Sequence, residues 1–408
     1  MPHGPGTALF AAVALTLCGA PSWAAKARFH IGICTPTVAQ SEDTLRGAEQ
    51  LIREYGAVGR GGMIRHITFP DDFMSQQETV VTSLVALADD PRMKAVVACE
   101  AIPGVAEAFR RIRARRPDIL LLAGQPHEDP LVIQRAADLV VDADSISRGY
   151  TIPWAARQLG AQTLVHISFP RHMSYELLAR RRAIMEAACR ELGLRFASET
   201  APDPTSDVGV AGAQQFILEK TPQWLRKYGP NGEKVCFFTT NDAQMEPLLK
   251  QLLASRNGLF VEADFPSPLM GYPGALGLDL SAEQGDFPAI LRKIEARVVA
   301  RGGGGRFGSW PFSVGFAITA ALGELGKRVA EGHAKVGDPA DLQACLGKFT
   351  PGAKWRGTYY LDLSTGVRIR NEILVSMDTY VFGKGYLGTP ALRIPGRFLH
   401  IREPGLSR

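Results

Sequence analysis

The strand-like run Thr163-Leu-Val-His-Ile-Ser168 passes straight into Phe169-Pro-Arg-His-Met-Ser-Tyr-Glu-Leu-Leu-Ala-Arg-Arg-Arg182. An apolar, β-prone run ends at a Pro-bounded loop, and the loop opens a helical pattern. Such a loop, at the carboxyl end of a strand and before a helix, is where open α/β sheets meet ligands. Arg171 supplies a planar donor fork for carboxylate or phosphate. His172 is neutral or switchable, and Tyr175 offers a flat face and a hydroxyl. All three are candidate ligand contacts. Arg180, Arg181 and Arg182 point about 100° apart on a helix, so they cannot face one ligand together; a solvated face is expected for them. The same expectation holds for the basic run Arg110–Arg116.

Outward from this stretch the rhythm is strand, helix, strand. Upstream, strand-like runs occur at residues 28–34, 63–69, 94–99, 118–123 and 139–141, separated by helical patterns. Ser41 can cap the first helix and Gly56 stops it, while Ser75-x-x-Glu78 is a capping-box signature for the second. Downstream, strands at 163–169, 194–198, 234–240 and 258–263 alternate with further helices. A hairpin is expected at 355–363 and 367–374. This alternation predicts an α/β chain with two lobes, each a parallel sheet flanked by helices, hinged about a cleft. The first lobe is expected to hold residues 27–145 plus about 279–335, and the second 146–278 plus about 336–390. Residues 391–408 read as a Pro/Gly-rich tail that frays.

Strand ends should line the cleft. In the first lobe they deliver Thr35, Asp72 and Gln125, with His127 just beyond; in the second, Asn241 follows an apolar strand. Trp310 lies in a Pro/Gly-rich loop, where it could sandwich a flat ligand or plug a lobe.

The chain has 408 residues, 46% hydrophobic and 21% charged, with a net charge of +5. That balance fits globular lobes with large cores and does not call for nucleic acid. Residues 1–24 read as a signal peptide, with an apolar Ala8–Ala20 and cleavage after Ala24. The mature chain is expected in the periplasm and not to span a membrane. Cys34, Cys99, Cys189, Cys236 and Cys345 are sparse and set no disulfide framework. No metal-ligand spacing, nucleophile elbow or phosphate-cradling loop appears, so neither a cofactor nor catalysis is expected.

Several blocks carry a family resemblance: Pro126-His-Glu-Asp129, Arg148-Gly-Tyr-Thr-Ile-Pro153, Phe169–Arg182, Ala201–Asp207, Ala213-Gln-Gln-Phe-Ile217 and Gly271-Tyr-Pro-Gly-Ala-Leu276. In these the chain resembles a bacterial family, domain of unknown function 3798, from Phe29 to the end of the hairpin. That family looks like the type I periplasmic binding proteins, which include transporter receptors and effector domains of repressors. The resemblance implies the two-lobed fold and brings no residue roles. The expected function is an exported solute-binding protein that captures a small polar or aromatic molecule for a membrane transporter or sensor. The alternatives are the ligand-sensing domain of a regulator and an enzyme using the same cleft.

Overall fold

Five β-prone runs become β1 (His30–Thr35), β2 (Ile64–Thr68), β3 (Met93–Cys99), β4 (Leu120–Gly124) and β5 (Leu139–Ala143). The structure, a computed structural model, describes residues 27–73 and 75–402; the segment read as a signal peptide lies outside them. β1 is buried along its whole length, as a strand covered by helices on both faces must be, whereas β2 is partly exposed. The second unit supplies β6 (Thr163–Ser168), β7 (Arg195–Thr200), β8 (Val235–Thr239) and β9 (Gly258–Phe260), all parallel, in the order β7-β6-β8-β9. The short strand β10 (Gly308–Ser309) follows.

The hairpin forms as expected, from β11 (Trp355–Leu361) and β12 (Arg368–Met377), but it joins the other lobe. β12 runs parallel to β5, with Glu372 opposite Val140 and Val375 opposite Ala143. The first sheet is therefore seven-stranded, β11-β12-β5-β4-β3-β1-β2. The assignment of 336–390 to the second lobe is corrected: Glu372, Ile373, Leu374 and Val375 are buried, and β5 is the neighbour that covers them. Only β13 (Tyr380–Val381) and β14 (Gly385–Tyr386) return, forming a three-stranded sheet with β10.

The segment 279–335 divides as well. Helix Phe287–Ala300, expected in the first lobe, packs on the second: Arg301, just after it, donates to the Ala275 and Leu276 carbonyls, and Glu295 accepts from Tyr380. Helix Val314–Ala330 does belong to the first lobe, lying on helix Val38–Tyr55 and β3. Close approach there requires small residues. A Cβ at Gly47 would stand 2.7 Å from the Phe316 carbonyl, and one at Gly315 would stand 2.5 Å from Thr44 Oγ1.

The chain thus passes between lobes three times, near 143–145, 309–313 and 377–379. One buried network gathers all three passages. Arg148 Nε donates to Glu262 Oε1 (2.7 Å), and its other nitrogens donate to the Ala263 and Asp264 carbonyls. Trp310 Nε1 and Thr379 Oγ1 both donate to Glu262 Oε2, at 3.0 and 3.1 Å. A buried ion pair with every partner matched fixes geometry even where its net contribution to stability is small.

Three smaller expectations fail. The capping box at Ser75 does not close; the Ser75 hydroxyl turns back to Asp72, and the helix starts at Gln77 without a side-chain cap. Arg180 and Arg181 are buried, because helix Glu176–Glu191 is covered by helix Ser145–Gln158 and by the hairpin. The tail is ordered through 402: Ile394 and Phe398 are buried, and Phe398 packs on Tyr150. The expectation for Arg110–Arg116 agrees with the structure, where Arg110 and Arg111 pair with Glu107 at the surface.

Candidate functional site

The carboxyl ends of both sheets face one cleft. It opens into two cavities of about 870 and 820 Å³. They share walls at Gln125 and His127 from the first lobe, and at Arg171, His172, Asn241, Asp242 and Phe265 from the second. The larger adds Gln40–Thr44, Phe69, Phe73, Glu100, Ser267 and Ser313; the smaller adds Glu128, Asp142, Arg148, Tyr175 and Arg181.

Six of the nine residues expected to contact ligand line this space: Gln125, His127, Arg171, His172, Asn241 and Tyr175. Thr35, Asp72 and Trp310 do not. The Thr35 side chain is fully buried, and its hydroxyl is held by the Pro36 carbonyl and by His66 Nε2. Asp72 lies on the surface in a turn with Ser75. Trp310 is 1% exposed, donates to Glu262 and stands over Arg148, so it plugs the junction of the lobes.

On the second-lobe jaw, Arg171 is already engaged. Its Nε and Nη2 clasp Asp203 at 2.7 and 2.9 Å, Nη1 reaches the Tyr175 hydroxyl, and the guanidinium covers the Phe169 ring. The bond to Asp203 raises the Arg171 pKa further and holds the Asp203 carboxyl well below its usual range. His172 stacks on Phe169 and bonds Thr240; burial keeps its pKa below the ordinary value. Asn241 Oδ1 accepts from the Ala243 N–H, so that oxygen serves the turn.

The first-lobe jaw is strained. Glu100 and Gln125, the residues directly after β3 and β4, have φ of 50° and 47°, and they are the non-glycine residues with positive φ among those described. Such conformations cost of order 1 kcal/mol or more in a non-glycine residue and gather at functional sites. The Gln125 N–H is pinned to the Val141 carbonyl, and the His127 N–H to that of Ala101. Thr44 Oγ1 donates to Glu100 Oε1 (2.7 Å). The cleft walls press the His127 pKa down, with Glu100 pulling it up.

Carboxylates dominate the floor. Asp43, at the start of the first helix, has its pKa pushed up to about 6 by burial, against the lowering effect of the Ser267 and Ser313 hydroxyls and with Glu42 and Glu100 adding repulsion. Asp242 is raised well above the usual range by burial and then by Asp264, Glu100 and Asp43. Asp43 Oδ1, Gln125 Oε1 and Asp242 Oδ1 are all buried and accept no hydrogen bond. Buried acceptors without donors are uncommon and call for an explanation. Asp43 also links the lobes: Ser267 Oγ donates to its Oδ2 (2.7 Å). Strand-end logic passes over Asp43, which sits in a helix start, and it picks Asn241 without its neighbour Asp242. The spacing Ser41-Glu-Asp-Thr44 before an apolar helical face was the available signal.

A family profile described as "Protein of unknown function (DUF3798)" matches residues 29–308. Two proteins of Treponema pallidum (strain Nichols), both described as uncharacterized, are similar. One is 51% identical over 178 residues, covering 43% of this chain and 80% of its own length. The other is 43% identical over 217 residues, covering 53% and 96%. Among solved structures, a candidate transcriptional regulator from Clostridium difficile 630 aligns at TM-score 0.75 and 20% identity, over 87% of this chain and 99% of that one. A sugar ABC transporter protein from Actinomyces odontolyticus ATCC 17982 aligns at TM-score 0.53 and 11% identity, over 86% and 95%. At these identities the likeness concerns the fold: two α/β lobes of the type I periplasmic-binding-protein kind.

Proposed function

The chain belongs to the DUF3798 family, and we propose that it is an exported solute-binding protein that closes its two lobes on a small polar or aromatic molecule. The observation that carries this reading is the cleft itself. Both sheets aim their carboxyl ends at it, and its walls hold buried acceptors that no protein donor answers. A ligand between the lobes would answer them, and the Ser267–Asp43 contact supports closure around it. The signal-peptide pattern at 1–24 supports export, and hence delivery to a membrane transporter or sensor. The likeness to a sugar ABC transporter protein is consistent with that role.

A second reading, the ligand-sensing domain of a regulator, draws on the likeness to the candidate regulator. Fractionation separates the two: mature protein in the periplasm supports capture and delivery, and cytoplasmic protein supports the regulator. The decisive experiment on binding is mass spectrometry of small molecules released when the purified protein is denatured, followed by thermal shift with each molecule found. A ligand held at a thousand times its Kd adds about 4 kcal/mol of stability. Release of nothing, with no shift across a metabolite panel, removes the binding reading.

A further inference from the structure

We propose that the molecule captured in this cleft carries a protonated amine, seated between Asp43 and Glu100 of the first lobe and Asp242 of the second. This rests on the binding reading above and narrows it to a chemical class.

Gln125 gives the first independent pointer. It is 2% exposed, its backbone is held at φ 47°, it lines the larger cavity, and its Oε1 is buried without a donor. Asp43 Oδ1 and Asp242 Oδ1 stand in the same condition, one from each lobe. The ligand must therefore bring several hydrogen-bond donors. In the larger cavity an anionic group would add acceptors to acceptors; the unanswered guanidinium donors, Arg180 Nε and Arg181 Nε, belong to residues of the smaller cavity.

Charge separates an amine from a neutral polyol. Arginines lining the cavities beside this floor are already paired: Arg46 with Glu42 and Glu49, Arg171 with Asp203, Arg148 with Glu262 and Arg181 with Asp264. No ion pair to Asp43, Glu100 or Asp242 is present among the described residues. A sugar-like hydroxyl would satisfy the acceptors and bring no charge to a floor that three carboxyl groups share. A primary ammonium brings three donors and the missing charge in one group. A bare divalent cation fits less well, since no group of three or more His, Cys, Asp or Glu among the described residues is spaced to hold a metal. Phe265, beside Asp242 in both cavities, gives the body of the molecule a flat apolar wall.

The test uses the full mature chain and matched probes that differ only in amine against hydroxyl: D-glucosamine and D-glucose, tyramine and tyrosol, putrescine and 1,4-butanediol. In parallel, the molecules released on denaturation are treated with an amine-reactive label. The expected result is a released molecule that takes the label, or an amine probe that raises Tm where its hydroxyl partner does not. Affinity for that molecule should fall at least tenfold in D242N and in D43N, each of which keeps shape and removes charge. D43N carries the test alone should D242N fail to fold. A released molecule without a basic nitrogen, a hydroxyl partner that stabilises equally, or unchanged affinity in the folded variants overturns the amine and leaves capture standing. If nothing is released and no probe shifts Tm, both readings fall.

Discussion

Glu100 and Gln125 hold left-handed backbone at the ends of adjacent strands, and both line the cleft. Gln125 stands directly after β4, and its Oε1 is a buried acceptor without a donor. Replacing it with glycine relieves the strain and removes the acceptor; replacing it with alanine removes the acceptor and keeps the strain. Q125G is expected to be more stable than Q125A by about 1 kcal/mol in urea unfolding, with both losing ligand affinity alike. Equal stability of the two would mean the strain is absorbed elsewhere. Asp43 makes a pH prediction. Its folded-state pKa, raised to about 6, exceeds the unfolded value, so the folded state binds the proton more tightly. Its contribution to stability is present at low pH and is lost as pH rises through that window. His66, His127 and His172, whose pKa values are lowered, act in the opposite direction below their ordinary range, so the wild-type profile alone mixes the two. The difference between D43N and wild type isolates the carboxyl: D43N should gain on wild type between pH 4 and 7, by at most about 3 kcal/mol. A constant gap across that range would place the Asp43 pKa near its ordinary value. At this scale, strand-end logic put Gln125, His127 and Arg171 on the cleft wall, where the structure has them. It could not find Asp43, whose role depends on Ser267 arriving from 224 residues away.

Helix Val38–Tyr55 and helix Val314–Ala330 meet through glycines, and their amino ends converge on the cleft at Thr44 and Gly315. Alanine favours an isolated helix over glycine by about 1 kcal/mol. Here the added Cβ at Gly315 would lie 2.5 Å from Thr44 Oγ1, so the packing term should win. G315A is expected to destabilise by about 1–3 kcal/mol and to disturb the Thr44–Glu100 hydrogen bond. A stabilised G315A, measured by chemical unfolding, would show that the two helices can slide apart. The bounds of the first of these helices were readable in the sequence from Ser41 and Gly56; the structure adds that Cys34 and Cys99 stand on the neighbouring strands β1 and β3, both free. Helix Ser145–Gln158 was not readable, since Pro153 stands inside it and reads as a breaker. The destination of the hairpin was equally hidden. Its alternation predicts two paired strands but says nothing of which sheet they join; the pairing of Ile373 with Val141 decides that. Arg181 was misplaced for a related reason. A charge run on a helix usually marks a wet face, but here Asp264 and the Phe238 ring receive the guanidinium inside the lobe.

The whole molecule is two lobes joined at passages that Arg148, Glu262, Trp310 and Thr379 bind together. With that end fixed, motion between the lobes is expected to open the opposite, cleft-facing end, as in hinged domain closure. The Ser267–Asp43 hydrogen bond spans this end. Hydrogen bonds to a charged group contribute about 1.5–3 kcal/mol, so deleting this one should move the open–closed equilibrium by at least tenfold toward open. Because Ser267 lies in a loop and its alanine form leaves both cores intact, S267A should unfold at nearly the wild-type midpoint. Its radius of gyration in solution scattering without ligand should rise, and saturating ligand should bring it back. The variant would also bind more weakly, since part of the binding free energy would be diverted to closure. An unchanged radius with weakened binding would make Ser267 a ligand contact; a changed radius with unchanged binding would mean that closure and capture are uncoupled.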